Sequence, residues 1–175
     1  IDLPNHGKSY HTQNFSYESM SYDLDSFFTQ NGLSNFSILG HSMGGKLALK
    51  YIDMFEDKID KLVIVDIANK TYRSNRFEHV FEAIYSIPLD KIKSRTEADS
   101  LISPIIKNEG ERNFILKNLK RTPDGFEWCP NINLLHKKLS EISAKINLSR
   151  MIKKKTLFLL GENSNYFDDK DRNNL

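Results

Sequence analysis

The fold of this chain is decided by residues 36–45, which read Phe36-Ser37-Ile38-Leu39 and then Gly40-His41-Ser42-Met43-Gly44-Gly45. A Gly-x-Ser-x-Gly pattern directly after an apolar run predicts a strand that turns sharply into a helix, with the serine hydroxyl lifted clear of the sheet. We expect Gly40 and Gly44 to be required because side chains there would clash across so tight a turn. The first N–H groups of the helix would point at the place where an oxyanion forms, which makes Ser42 a candidate nucleophile.

The segments on either side of this turn predict alternating helices and strands. A first helix begins after Ser16, a favourable N-cap, and ends at Asn31-Gly32. A second helix follows the turn from Met43 to about Phe55. The near-continuous apolar run Lys61–Val65 is typical of a buried parallel strand. Strand, helix and strand in this order indicate an α/β fold with a mostly parallel sheet.

Between about residues 72 and 146 the pattern changes, and no segment reads as a further strand of that sheet. Apolar residues at helical spacing predict four short helices there, near residues 77–84, 94–102, 114–119 and 132–139. Pro104 is expected to break or kink the second of them, and Pro123-Asp124-Gly125 predicts a turn. Strand character returns at Thr156–Leu160. We therefore predict a core over 1–70, a helical lid over 71–155 and a return to the core over 156–175.

Composition excludes several classes of function. The formal net charge of +2 is too small to indicate binding to nucleic acid or to an anionic membrane surface. No apolar run approaches the roughly 20 residues of a membrane-spanning helix. The single cysteine, Cys129, lacks metal-ligand spacing around it and is predicted to serve packing, so no metal is expected. One cysteine fits a reducing compartment, which predicts a cytoplasmic protein.

The chain begins at Ile1, in what reads as a strand end, and we expect it to be an internal fragment.

A serine nucleophile needs a base, and the base needs an acid that orients it. Asp66 ends the strand that follows the Ser42 turn, and adjacent parallel strands lie roughly 4.8 Å apart. The two side chains should therefore be near neighbours, with space for an imidazole between them. The loop after Thr156–Leu160 is the second candidate position for the acid, because in many enzymes with a serine nucleophile on such a turn the acid follows this strand. Here it holds Ser164, and Glu162 is too close to the strand end to be favoured.

The base is not evident from the sequence. The histidines are His6, His11, His41, His79 and His136, and the base of such a triad comes last in chain order. No histidine follows Ser164, and His41 lies inside the turn, where it normally faces away from the hydroxyl. We therefore expect the catalytic histidine to lie beyond Leu175 and the second oxyanion donor to precede Ile1. Met43 is expected to provide the first oxyanion N–H.

Several segments resemble the α/β-hydrolase superfamily. Asp2–Ser9 and Gly40–Lys46 resemble the superfamily as a whole. The longer match is narrower and resembles YbfF-type esterases, relatives of the abhydrolase-domain proteins. The residues that carry it are Ile59–Ala68, Phe126–Trp128 with Asn131, and Gly161–Tyr166.

The resemblance implies hydrolysis of small-molecule acyl esters or acyl-CoA thioesters without a cofactor. It implies that Asp66 is the acid, that Ser164 lies near the site, and that Trp128 belongs to a lid over the acyl pocket. His41 is assigned with these two residues to substrate binding, and His6 is expected to be structural. A C–C hydrolase, a peptidase, a perhydrolase and a non-catalytic binding protein of the same fold remain alternatives, and the oligomeric state stays open.

Overall fold

The structure is a computed structural model that describes residues 1–172. The helices are α1 Tyr17–Gln30, α2 Met43–Phe55, α3 Glu78–Tyr85, α4 Arg95–Ile102, α5 Glu109–Leu116, α6 Ile132–Lys137, α7 Leu139–Ser143 and α8 Asp169–Arg172. The strands are β1 Phe36–His41, β2 Ile59–Val65, β3 Leu119–Thr122, β4 Gly125–Trp128 and β5 Lys155–Leu159.

The chain forms two compact units. The first, called the sheet unit below, comprises Asn14–Tyr72 and the chain from Glu141 onward; the second, called the inserted unit, comprises Ile1–Gln13 and Arg73–Ser140. The domain division expected from the sequence, 1–70, 71–155 and 156–175, stays a prediction.

The sheet unit contains a three-stranded parallel sheet in the order β1-β2-β5. His41 pairs with Val65, and Val65 pairs with Leu159, so the three strands end at the same edge. This confirms the predicted parallel α/β arrangement. It also means that the residues directly after β1 and β2 are neighbours, which is the placement that the candidate site requires.

The core of the sheet unit lies between α2 and the sheet. Its most completely buried side chains include Tyr51, Ile52, Ile59 and Ile64, each with no exposed surface. Truncating one such isoleucine to alanine typically costs about 2–5 kcal/mol. Because α2 contributes Tyr51 and Ile52 to this core, packing against the sheet holds the helix that follows the glycine-rich turn.

Helix α1 begins as predicted after Ser16, whose hydroxyl accepts a hydrogen bond from the Ser19 N–H.

Two carboxylates at the end of α2 hold the chain that leads into β5. Asp53 accepts hydrogen bonds from the Ser149 N–H at 2.6 Å and the Ser149 hydroxyl at 2.8 Å, and Glu56 accepts one from the Lys153 N–H at 2.6 Å. Burial raises the pKa of Asp53, but these hydrogen bonds and Lys50 outweigh it and leave the pKa below its usual value. Asp53 is therefore ionised at neutral pH, when its hydrogen bonds are strongest.

The inserted unit has its own core, centred on Ala98, Ile102, Ile106 and Leu119. Helix α4 ends at Ile102, just before Pro104, as the sequence predicts. The helix expected near residues 114–119 instead ends at Leu116, and β3 and β4 form an antiparallel hairpin around the predicted turn. Strands of four residues are too short to show an alternating pattern, so the sequence did not predict this hairpin.

Candidate active site

Ser42 occupies a strained turn between β1 and α2. Its backbone has φ 53° and ψ −119°, a left-handed conformation that side-chain-bearing residues rarely adopt. The Ser42 N–H donates to the Val65 carbonyl at 3.0 Å, and the Ser42 carbonyl accepts from the Gly45 N–H at 2.9 Å. Strain of this kind costs of order 1–3 kcal/mol and clusters at functional sites. Ser42 is half-buried in this turn, and its role as a nucleophile stays a prediction.

The glycines of this turn do not all have the predicted role. A Cβ at Gly40 would lie 2.2 Å from the Gly44 carbonyl oxygen, and a Cβ at Gly45 would lie 2.6 Å from Cγ2 of Ile67. A Cβ at Gly44 would meet no atom of the described residues within 4 Å apart from its chain neighbours and the backbone of its own helix. The expectation of a clash at Gly44 was therefore wrong. The close approach in this chain is at Gly40 and Gly45, where α2 crosses the end of β1.

We predict that Gly40→Ala lowers the free energy of unfolding by about 3 kcal/mol, because the new Cβ would overlap backbone atoms that cannot move aside independently. Urea denaturation of the full-length protein measures this change. Gly44→Ala is the matched control and should be neutral or stabilising by up to about 1 kcal/mol, since alanine is the better helix former. Equal effects of the two substitutions would contradict the close packing at Gly40.

Asp66 follows β2 directly and, like Ser42, has a positive φ, of 52°. Its N–H donates to the Leu159 carbonyl at 2.8 Å, which places it at the ends of β2 and β5. Its Oδ1 accepts a hydrogen bond from the Gly161 N–H at 3.2 Å. The backbone of the β5 loop thus orients this half-buried carboxylate, and no pattern in the sequence predicted this contact.

Ser164 lies next to Asp66. A Cβ built on Gly161 would be 3.2 Å from the Ser164 Cβ and 3.5 Å from Asp66 Oδ1, so both side chains flank this glycine. The Ser164 N–H donates to the Gly161 carbonyl at 3.1 Å, and its hydroxyl accepts from the Tyr166 N–H at 3.3 Å. The structure therefore brings Ser164 and Asp66 together, while Glu162 is exposed.

The other predicted site residues have different surroundings. Met43 is the first residue of α2, so its N–H has no carbonyl partner within the helix. His41 ends β1 and is exposed. Trp128 belongs to the inserted unit, where it is half-buried and lines a groove of about 360 Å³ together with Tyr85 and Asn131. The roles assigned to these three residues stay predictions.

Four histidines belong to the inserted unit, and each has a partner there. His6 Nδ1 lies 3.1 Å from the Pro4 carbonyl, and His11 Nε2 lies 3.2 Å from the Cys129 carbonyl. His79 and His136 are near carboxylates, at 3.5 Å from Glu111 and 3.2 Å from Glu78. The base stays unassigned among residues 1–172. In the same range no group of three or more His, Cys, Asp or Glu side chains could hold a metal ion.

The turn at Ser42, the parallel sheet and the carboxylate on the neighbouring strand define a hydrolase-type fold. The family model of the α/β hydrolase fold matches residues 1–98, and the chain belongs to this family. No helix in the described part of the chain is long and apolar enough to cross a membrane.

Three of the similar proteins have names that denote an esterase or a lipase. The chain is 34% identical over 171 residues to the sn-1-specific diacylglycerol lipase ABHD11 of Mus musculus. This match covers 95% of this chain and 56% of the relative. It is 30% identical to esterase YbfF of Escherichia coli K12, covering 100% of this chain and 67% of that protein. A solved marine microorganism esterase matches with a TM-score of 0.93 and 37% identity, covering 99% of this chain and 69% of that one. The chain thus spans about half to two thirds of the length of these proteins.

Proposed function

We propose that the full-length protein is a serine esterase in which Ser42 forms the acyl-enzyme intermediate. The observation that carries this proposal is the pair of left-handed, non-glycine residues Ser42 and Asp66, which follow directly after two neighbouring parallel strands. Backbone strain at both positions is costly, and neither is a glycine that would relieve it. A nucleophile and an acid at these positions explain why the strain is retained.

The proposed reaction begins with attack of the Ser42 hydroxyl on the ester carbonyl. The Met43 N–H stabilises the oxyanion of the tetrahedral intermediate, together with a second N–H from the full-length protein. A histidine takes the serine proton, and Asp66 orients its ring and stabilises its charged form. The histidine then protonates the leaving alcohol. Water, deprotonated by the same histidine, releases the acid and restores Ser42.

The proposal places the histidine in the remainder of the full-length protein. This is supported by the length of the relatives, of which the chain covers 56% and 67%. The substrates are acyl esters, because three similar proteins are named as esterases or lipases. Acyl-CoA thioesters are a second substrate class, since the same attack on an acyl carbonyl cleaves them.

Labelling of the full-length protein with a fluorophosphonate tests the proposal directly. The probe reacts only with an activated serine, and it should add one group to the tryptic peptide Ser9–Lys46. Fragmentation of this peptide should assign the added mass to Ser42, although the peptide contains other serines. Labelling on another serine, or none in a folded protein, would contradict the proposal. A panel of esters, thioesters, amides and C–C substrates then separates the esterase from the alternative chemistries.

A further inference from the structure

Lys46 is a buried lysine for which the proposed reaction has no use. It lies four residues after Ser42 in the first turns of α2, and only 1% of its surface is exposed. Lysine is almost never fully buried unless its charge is compensated. Within the part of the chain that the structure describes, its Nζ forms no ion pair with a carboxylate and donates to backbone carbonyls instead. The compensation must therefore come from other groups.

Three backbone carbonyls surround the Lys46 ammonium. Its Nζ donates to the carbonyls of Lys70 at 3.0 Å, Ser143 at 2.8 Å and Ala144 at 2.7 Å. An ammonium has three N–H donors, so every donor is used. The charge also lies 4.8 Å from the centre of the Tyr72 ring, which adds a cation–π contact. The three carbonyls match the three N–H donors of a charged amine, whereas a neutral amine has only two such donors.

These carbonyls belong to two of the three segments at which the chain passes between the sheet unit and the inserted unit; the third passage is at Gln13–Asn14. The chain leaves the sheet unit after Tyr72 and returns at Glu141. We call residues 69–72 and 143–146 the root. The Tyr72 N–H donates to the Ser143 carbonyl at 2.9 Å, and the Asn69 side chain bonds both the N–H of Ile146 at 2.8 Å and its carbonyl at 3.0 Å. The two segments of the root are therefore bound to each other.

The backbone of Lys46 connects this arrangement to the candidate nucleophile. The Lys46 N–H donates to the Ser42 carbonyl at 3.2 Å, while its side chain reaches the root on the other side. Burial lowers the pKa of Lys46 from its ordinary value to about 8, so the ammonium form still predominates at pH 7. One residue thus joins the turn at Ser42 to both segments of the root.

We propose that Lys46 is a positioning residue that fixes the root to the first turns of α2 through an ammonium held by three backbone carbonyls. The role requires both the charge and the N–H donors, because charge-assisted hydrogen bonds are about twice as strong as neutral ones. The inference does not depend on the proposed esterase activity, since it concerns contacts within the sheet unit alone.

Hydrogen exchange of the full-length protein, followed by mass spectrometry, tests this role. Lys46→Met keeps an unbranched side chain as far as Cε and removes the ammonium group with its charge and donors. It should speed exchange in peptides from the root by about tenfold or more, without changing exchange in β1 and β2. Lys50→Met is the matched control: Lys50 lies one turn further along α2, pairs with Asp53 at 3.3 Å, and its loss should leave the root unchanged. Unchanged root exchange in Lys46→Met, or equal changes in both variants, would overturn the proposal.

Chemical rescue tests the charge and the donors separately. Lys46→Ala removes Cγ, Cδ, Cε and Nζ, which are the atoms of n-propylammonium. Added n-propylammonium should restore slow exchange in the root, whereas tetramethylammonium at equal ionic strength should not, because it has no N–H donor. If Lys46→Ala fails to fold, refolding should succeed with n-propylammonium alone. Rescue by both cations, or by neither, would overturn the proposal.

Discussion

Ser42→Ala should lower kcat for ester hydrolysis by the full-length protein by about 10⁶-fold, the size found when a triad serine is removed from a serine protease. The alanine lacks the hydroxyl that forms the acyl-enzyme, and no neighbouring group takes its place on the strained turn. KM should change little, because the hydroxyl contributes little to binding of the ground-state ester. Steady-state hydrolysis of a p-nitrophenyl ester measures both constants.

The control for this substitution is Ser37→Ala. Ser37 is an exposed residue of β1, five positions before Ser42, and its hydroxyl has no role in the proposed reaction. Its loss should leave kcat within about twofold of the wild type. A folded Ser42→Ala variant that retains a substantial part of the activity would show that another residue is the nucleophile. Circular dichroism of both variants would establish that each is folded.

The parts of the fold that the sequence predicted correctly rest on local patterns. The turn at Ser42, the α1 cap at Ser16 and the apolar run that became β2 each depend on neighbouring residues alone. The adjacency of β1 and β2 followed because a strand–helix–strand unit pairs its strands in parallel. Local pattern and tertiary structure agree in these segments, so the prediction was reliable there.

The predictions that failed depend on distant contacts. Which glycine is indispensable is decided by what α2 approaches, and the motif alone does not distinguish Gly44 from Gly45. The β3–β4 hairpin packs Leu119 and Phe126 into the core of the inserted unit, which four-residue strands do not reveal. Both features depend on which residues pack together in three dimensions, whereas a sequence motif describes only residues that are neighbours along the chain.

Some residues of the candidate site were predicted from the sequence, and others were not. Ser42 and Asp66 followed from strand geometry, and Ser164 followed only from the family resemblance. The Gly161 N–H that binds Asp66 could not be predicted, because it depends on how the loop after β5 folds back. Lys46 was missed for a related reason: a lysine in an amphipathic helix reads as a solvent-facing residue until the carbonyls around it are known.

Asp66→Asn is expected to lower kcat by about 10⁴-fold, the loss found when the triad aspartate of a serine protease is replaced by asparagine. Asparagine has nearly the same size, and its carbonyl oxygen can still accept the hydrogen bond from the Gly161 N–H, so the local structure should be kept. What is lost is the negative charge that stabilises the protonated histidine and selects its tautomer. The same p-nitrophenyl ester assay measures the change in kcat.

Two matched variants distinguish this role from a general effect of charge. Asp60→Asn removes an exposed carboxylate from the same strand and should leave kcat near that of the wild type. Glu162→Gln removes the other carboxylate of the β5 loop and should also have little effect, because Glu162 is exposed while Asp66 is oriented by Gly161. If Glu162→Gln caused the large loss and Asp66→Asn did not, the acid would follow β5. The strained backbone at Asp66 would then need another explanation.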